Sequence, residues 1–363
     1  MTPIDHTRAT VEERSGFDAI IDARSPSEFA EDHIPGAINC PVLDDQQRII
    51  VGTLYKQSSP FDARKIGAVM VARNVAHYIE TLFANQPKGW APLVYCWRGG
   101  QRSGAFTHIL REVGWSARRL QGGYKAWRSH VIEQLAVQPM ALRFNVIAGP
   151  TGSAKTRILE SLQQQGQQVL NLEALAAHKG SVLGDLPGQA QPSQKMFETQ
   201  VLQALMQFDP AHPVFVESES RRIGQLRVPD AVYQGIQSGQ WLRVQASMHE
   251  RVQFLLRDYD YFLSGPELEA QLGRLKESCG GAAVARWQQL AQAKDFATLV
   301  AELLEQHYDR FYLRSMNSQA DGANHPSFAS NDLSDLGIAR LAREIAGAAG
   351  MGVASDTSRG RNA

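Results

Sequence analysis

The sequence predicts an α/β protein built as two successive domains, each a parallel sheet with helices on its faces. Three observations carry this. A chain of 363 residues exceeds what one core usually organises, so division into domains is the default. Short apolar runs recur along it, each followed by a stretch with helical spacing, and strands that alternate with helices pair in parallel. Two of those runs, PLVYC at 92–96 and RFNVIAG at 143–149, lead through glycine-bearing loops into helices. In α/β sheets such strand ends are where sites are built.

Taken in order, residues 17–22 (FDAIID) read as a buried strand ending in a carboxylate. ARSPSEFAEDHIPGAINCPV then gives a turn, a short helix through Glu28 and Phe29, and a HIPGA segment leading into a second strand. In that segment His33 is expected to be structural rather than a catalytic base. Ile66, Val69, Met70, Val75, Ile79 and Leu82 mark a helix over 64–85. PLVYC is the next strand, a helix runs from about Ser103 to Val113, and RRLQGGYKAW at 118–127 reads as strand, glycine turn and helix. AVQPMALR at 136–143 breaks the pattern, which places the domain boundary there. A new unit begins with the strand RFNVIAG, the loop PTGSAKT and the helix RILESLQQQ, followed by strands PVFVE at 213–217 and LRVQAS at 242–247. From about 250 to 315 the chain reads as mostly helical. The expected divisions are 10–135, 140–316 with a helical extension, and a polar tail over 317–363 with one short helix near 332–348. The final dozen residues are expected to be disordered.

Composition excludes several classes. Lys+Arg and Asp+Glu both number 37, so no global field advertises a nucleic-acid partner, although a local basic face suffices for one. Cys40, Cys96 and Cys279 are odd in number and far apart, which argues against a disulfide framework or a zinc site. The first residues lack an apolar signal core and no run reaches membrane-spanning length, so a cytoplasmic protein with no membrane partner is expected.

Cys96 stands out by its surroundings. In VYCWRGGQRS (94–103) it follows an apolar strand and precedes Arg98, Gly99, Gly100 and Arg102. Glycines let successive N–H groups curl inward around the sulfur, the following helix adds its positive end, and arginines hold an anion opposite. That company suits a nucleophilic thiolate. Cys40 and Cys279 lack it and read as structural.

GPTGSAKT (149–156) matches the phosphate-binding pattern G-x-x-x-x-G-K-[ST] except that Ala154 replaces the second glycine. Gly149, Gly152 and Ser153 shape the loop, Lys155 adds a point charge and Thr156 reaches a metal ion. The Ala154 methyl is expected where the backbone nears the phosphate. VFVESESRR (214–222) ends a strand in Glu217, a residue type that positions a metal-bound water. Arg221 and Arg222 suit a second anion, and Arg251 and Arg257 are candidates for a lid over phosphates.

Taken together, IDARSPSEFAEDHIPGAINCPV at 21–42, the Cys96 loop and GGYKAW make residues 10–135 resemble a rhodanese domain. Between Cys96 and Arg102 the loop is one residue longer than is usual in rhodanese homologues, as in the dual-specificity phosphatases of that fold. The whole chain, by CWRGGQRS, VGTLYK, GPTGSAKT and VESESRRIG, resembles the bacterial tRNA 2-selenouridine synthases over about residues 10–315. That resemblance implies α/β architecture with a rhodanese-like domain followed by a P-loop NTPase-like domain and a helical C-terminal region. It also implies tRNA as substrate, read at the anticodon arm, and the wobble 2-thiouridine of tRNAs for lysine, glutamate and glutamine converted to 2-selenouridine. Geranyl diphosphate and selenophosphate enter as co-substrates. On this basis Cys96 is expected to accept selenium, and Arg98 and Arg102 to bind the anion. Gly149, Gly152, Ser153, Lys155 and Thr156 are expected to bind diphosphate, and Glu217 to position Mg²⁺ if a metal is used, with the metal ligands otherwise open. Arg118, Arg119, Lys125 and Arg128, with Arg221 and Arg222, would face RNA, and Trp97 either stacks on the flipped base or packs internally. A monomer is expected. The competing classes are a rhodanese-type sulfurtransferase or phosphatase with a regulatory nucleotide-binding domain, and a non-catalytic RNA-binding adaptor.

Overall fold

The computed structural model describes residues 7–181, 184–186, 188–258, 268–310, 312–313 and 325–354. It divides into two compact units. One comprises residues 1–135 with Pro192–Gln203, the other Ala136–Gln191 with the remainder from Ala204.

In the first unit β1 (Arg8–Ala9), β2 (Ala19–Asp22), β3 (Ala37–Asn39), β4 (Pro92–Tyr95) and β5 (Arg118–Leu120) form one sheet. Its order is β1-β5-β4-β2-β3, and every pairing is parallel. All four residues of β4 are buried, as a strand covered on both faces requires. Asp22 pairs with Tyr95, so the segments after β2 and β4 leave the sheet side by side. Helix α1 (Pro26–Glu31) starts at a capping box in which Ser25 and Glu28 satisfy each other's backbone amides. Next come α2 (Asp45–Gln57) and α3 (Pro60–Thr81), an antiparallel pair tied by Asn74 to Gln47 at 2.8 Å. The sequence reading had α3 but not α2. Helices α4 (Gln101–Glu112) and α5 (Tyr124–Val137) complete the covering layers, and Ile21, Phe83, Val94, Phe106 and Leu110 lie in the core.

In the second unit the strands are β6 (Phe144–Ala148), β7 (Gln168–Leu170), β8 (Val214–Glu217), β11 (Gln240–Ala246) and β12 (Ser327–Ser330). They run in the order β12-β11-β6-β8-β7, again all parallel. A two-stranded ribbon, β9 (Arg222–Ile223) with β10 (Leu226–Arg227), follows β8. Helix α6 (Lys155–Gln164) packs Ile158, Leu159 and Leu162 onto the sheet, and α7 (Leu172–Ala176) follows β7. Helix α9 (Asp230–Ser238) precedes β11, and α10 (Met248–Asp258) opens the helical region. That region continues as Leu268–Gly273, Lys276–Cys279, Gly281–Gln292 and Phe296–Leu303, with a π-helical turn at Leu304–Tyr308. The stretches 259–267 and 314–315, also read as part of it, lie outside the described residues.

Two features depart from the sequence reading. Helix α8 (Gln194–Leu205) falls beyond the boundary near 136–143, yet Pro192–Gln203 cluster with the first unit. Glu31 there pairs with Lys195 at 2.7 Å, and Arg128 pairs with Glu198. Within the expected polar tail the helix read near 332–348 is present but longer, Asp335–Ala354, and the unexpected edge strand β12 precedes it. Phe328, Ile338, Leu341, Ala342, Ile345 and Ala349 join the core around Ile147, Leu159 and Phe215. Their spacing is helical, but small residues between them dilute the apolar signal. Of the final dozen residues, expected to be disordered, 352–354 end this helix and 355–363 lie outside the described residues. Because Ile345 is fully buried, Ile345→Ala should lower the unfolding free energy by about 2–5 kcal/mol. A denaturant midpoint equal to wild type would show that this helix does not belong to the core.

Candidate functional sites

The Cys96 loop is built from the end of β4, the start of α4 and the turn before α5. Gly99 and Gly123 hold φ of +64° and +62°, a left-handed conformation that glycine adopts at little cost. The turn Gly122–Gly123 braces the loop: Tyr124 N donates to Cys96 O at 2.8 Å and Lys125 N to Trp97 O at 3.0 Å. A Cβ on Gly123 would run into the Cys96 carbonyl and the Gly99 amide. GGYKAW is therefore the floor of the cysteine loop. Gly123→Ala should cost about 1–3 kcal/mol of stability and disable the loop. The check is thermal unfolding together with alkylation of Cys96, and wild-type values in both would contradict this packing.

Within the loop, Cys96 is buried with its Sγ 3.2 Å from Ser103 Oγ. Arg98 is exposed. Arg102 donates to Glu28 at 2.7 and 3.4 Å, and Arg48 lies 3.4 Å from the same carboxylate. Burial alone would raise the Glu28 carboxyl, but Arg102 and then the Ser25 amide and Arg48 outweigh it and hold it below the usual range. Arg102 is thus oriented by Glu28, a residue the sequence reading passed over, as it did Ser103. The signal for Glu28 was present in the SPSE capping pattern, whose last residue serves both roles. Trp97 is half-buried, its ring 5.3 Å from that of Tyr124. His33 Nδ1 donates to Phe29 O at 2.9 Å, and its ring stacks on the Phe29 ring, in keeping with a structural role. Burial pushes the Cys40 thiol up to about 12, consistent with an inert core cysteine. Among the flanking cations Lys125 is exposed, whereas Arg128 is taken up by Glu198.

In the second unit the loop Gly149–Thr156 joins β6 to α6. Gly149 is pressed against the Val244 carbonyl and Ser153, where a Cβ has no room. Ala154 adopts φ of +60°, a conformation costing a non-glycine residue roughly 1–2 kcal/mol. Ala154 packs with Ile158 and Leu159 of the core and also lines the cavity beside the loop.

Four charged side chains converge beside this loop. Lys155 Nζ lies 3.3 Å from Glu217 Oε1. Thr156 Oγ1 stands 3.0 Å from a Glu173 oxygen and 3.1 Å from a Glu217 oxygen. Glu173, Glu217 and Glu219 each bring one oxygen within 4.8 Å of the others. Burial and the Glu217 charge push the Glu173 carboxyl up to about 8, and burial with both neighbours drives Glu219 well above its usual range. The sequence pointed to Glu217 alone. Glu173 sits just beyond β7, a three-residue strand too short to be read from its pattern. Carboxylates and a hydroxyl are hard oxygen donors of the kind that suit a divalent cation such as Mg²⁺.

Beyond the loop opens a cavity of about 920 Å³. Its lining includes Gly149, Gly152, Lys155, Thr156, the three glutamates and Arg221, whose guanidinium lies over the Tyr233 ring at 5.1 Å. The cavity lining also carries apolar side chains, Phe254, Leu255, Leu268, Leu299, Leu303 and Leu304, beside polar ones such as Arg243, Asp258 and His307. Neither Arg251 nor Arg257 lines it, which removes the lid reading. Arg251 is buried, donating to Thr151 O at 2.8 Å and to Asp309 at 2.6 and 3.0 Å, so it braces the phosphate loop from behind. Arg257 donates to Leu333 O. Cys279 Sγ lies 3.3 Å from Nδ1 of the buried His307, which lines the cavity.

Comparison with known proteins agrees with both halves. The family model for the rhodanese-like domain matches residues 7–130, and that for the tRNA 2-selenouridine synthase AAA domain matches 142–274. Curated relatives named tRNA 2-selenouridine synthase are similar over most of the chain. That of Chromohalobacter salexigens is 33% identical over 341 residues, 84% of this chain and 90% of the relative. That of Alcanivorax borkumensis is 35% identical over 296 residues, covering 75% and 78%. That of Nitrosomonas europaea is 34% identical over 263 residues, covering 69% and 66%. No helix among the described residues is long and apolar enough to cross a membrane.

Proposed function

The chain belongs to the tRNA 2-selenouridine synthase family, and on that premise we propose how its two sites divide one tRNA-modifying reaction. The cavity of the second unit binds geranyl diphosphate, and the Cys96 loop of the first binds selenophosphate. The substrate is the wobble 2-thiouridine of tRNAs for lysine, glutamate and glutamine, and the setting is the cytoplasm.

The observation that carries this reading is the composition of the cavity. A diphosphate needs N–H groups and cations, which the Gly149–Thr156 loop, Lys155 and Arg221 offer in the lining. A ten-carbon chain needs apolar surface, and Phe254, Leu255, Leu268, Leu299 and Leu304 in the same lining supply it. Burying hydrocarbon yields about 25 cal/mol per Å², an interaction with no use for a nucleoside triphosphate. Glu173, Glu217 and Thr156 would hold Mg²⁺, which when bound neutralises the departing diphosphate.

In the first step the thiocarbonyl sulfur attacks C1 of the geranyl chain. The C1–O bond breaks, diphosphate leaves and the uridine N3 proton is lost. The resulting thioether is a better leaving group than the original sulfur. In the second step the Cys96 thiolate attacks the phosphorus of selenophosphate and the P–Se bond breaks. The selenide released attacks C2, the geranylthio group departs as its thiol, and water then cleaves the S–P bond to free phosphate and Cys96. Arg98 and Arg102 hold the selenophosphate anion, with Glu28 fixing Arg102. A direct check of the first step incubates the full chain with a 2-thiouridine anticodon stem-loop and geranyl diphosphate, without selenophosphate. S-geranyl-2-thiouridine is the expected product by mass spectrometry, and unchanged 2-thiouridine would contradict the reading.

A further inference from the structure

The pair α2–α3 contributes little to the core. No residue of α2 is buried, and α3 buries only Ala63, Gly67 and Val75. Large apolar side chains are left in solvent instead: Ile49 is 66% exposed, Phe61 64% and Tyr55 55%. A hairpin that leaves such surface uncovered has a partner to meet.

Charge indicates which partner. Over the two helices the cations are Arg48, Lys56, Arg64, Lys65 and Arg73, against Asp45, Asp62 and Glu80. Asp45 is engaged by the Ser27 hydroxyl and amide, and Asp62 by Lys65. Lys56 and Arg73 form no ion pair among the described residues. The centre of a protein interface sheds charge, whereas here aromatic rings and cations alternate: Tyr55 next to Lys56, and Lys65 over the Phe61 ring at 5.0 Å. Rings for stacking on unpaired bases and cations for phosphates are what RNA takes.

Position agrees. Near its start α2 carries Arg48, 3.4 Å from the Glu28 carboxylate that also binds Arg102 of the cysteine loop. The hairpin surface therefore begins at the Cys96 site. We propose that α2–α3 is a tRNA-docking surface, taking the phosphates and unpaired bases that flank the modified uridine while that uridine is at Cys96. The motif VGTLYK, which lies on α2, thereby gains a role. This inference rests on the tRNA reading given above.

The test uses the full chain and a tRNA carrying 2-thiouridine, with affinity measured by fluorescence anisotropy at several salt concentrations. The double variant Lys56→Glu/Arg73→Glu should bind about ten-fold more weakly or worse, and its slope of log affinity against log salt should flatten by roughly 2. Tyr55→Ala should also lose about ten-fold, with the slope unchanged, because stacking releases no counterions. Alkylation of Cys96 and thermal unfolding should match wild type in both variants. Wild-type affinity in both variants would overturn the docking surface alone. So would variants that only shift the chain from dimer to monomer by light scattering, since the face would then meet a second copy. A wild-type chain that bound no tRNA would overturn the underlying reading and the docking surface with it.

Discussion

Cys96→Ala should reduce 2-selenouridine formation to background while the S-geranyl intermediate accumulates. The sulfur sits in a loop that the rest of the first unit holds in place: the Gly122–Gly123 turn, Ser103 and the Glu28-oriented Arg102. Alanine removes the acceptor atom and little else, so stability should change by no more than about 1 kcal/mol. Nucleoside mass spectrometry with selenophosphate and geranyl diphosphate both present reads the two products together. Normal selenouridine in the variant would mean that selenium reaches C2 without Cys96.

Lys155→Ala should produce the reverse pattern. Removing the cation 3.3 Å from Glu217 leaves three glutamates facing any diphosphate without that point charge. Loss of one preorganised electrostatic contact of this kind costs about 10²-fold in rate, so S-geranylation should fall by that order. The Cys96 loop is in the other unit and is untouched. RNA already bearing S-geranyl-2-thiouridine should therefore still be converted to 2-selenouridine by the variant. If a nucleotide-driven motor powered the selenium step instead, both reactions would fail together and added ATP would matter.

Much of this was legible in the sequence because the chemistry-bearing residues follow strong strands. Cys96, Gly149 and Glu217 each end or follow a buried apolar run, and such runs are hard to misread. What escaped the sequence is what distant segments bring together. Glu173 depends on β7, which is three residues long, and Glu28 meets Arg102 across 74 positions. The apolar part of the cavity lining is drawn from helices whose leucines read equally well as ordinary core. Arg251 illustrates the opposite error: a buried guanidinium bound to Thr151 O and Asp309 looks, in sequence, like any surface arginine. Ala154 marks the limit of motif matching. The pattern asks for glycine, and only the structure shows this residue packed with the core and lining the cavity, its backbone left-handed.

Which ligand the second-unit cavity prefers is the most direct measurement of the whole account. Calorimetric titration of the full chain with geranyl diphosphate, inorganic diphosphate and ATP, each with Mg²⁺, compares the three. With the chain's hydrocarbon buried against the lining leucines at about 25 cal/mol per Å², geranyl diphosphate should bind at least about ten-fold more tightly than inorganic diphosphate. ATP should fail to displace it. ATP binding more tightly than geranyl diphosphate, or a geranyl chain that adds nothing to diphosphate affinity, would contradict the assignment.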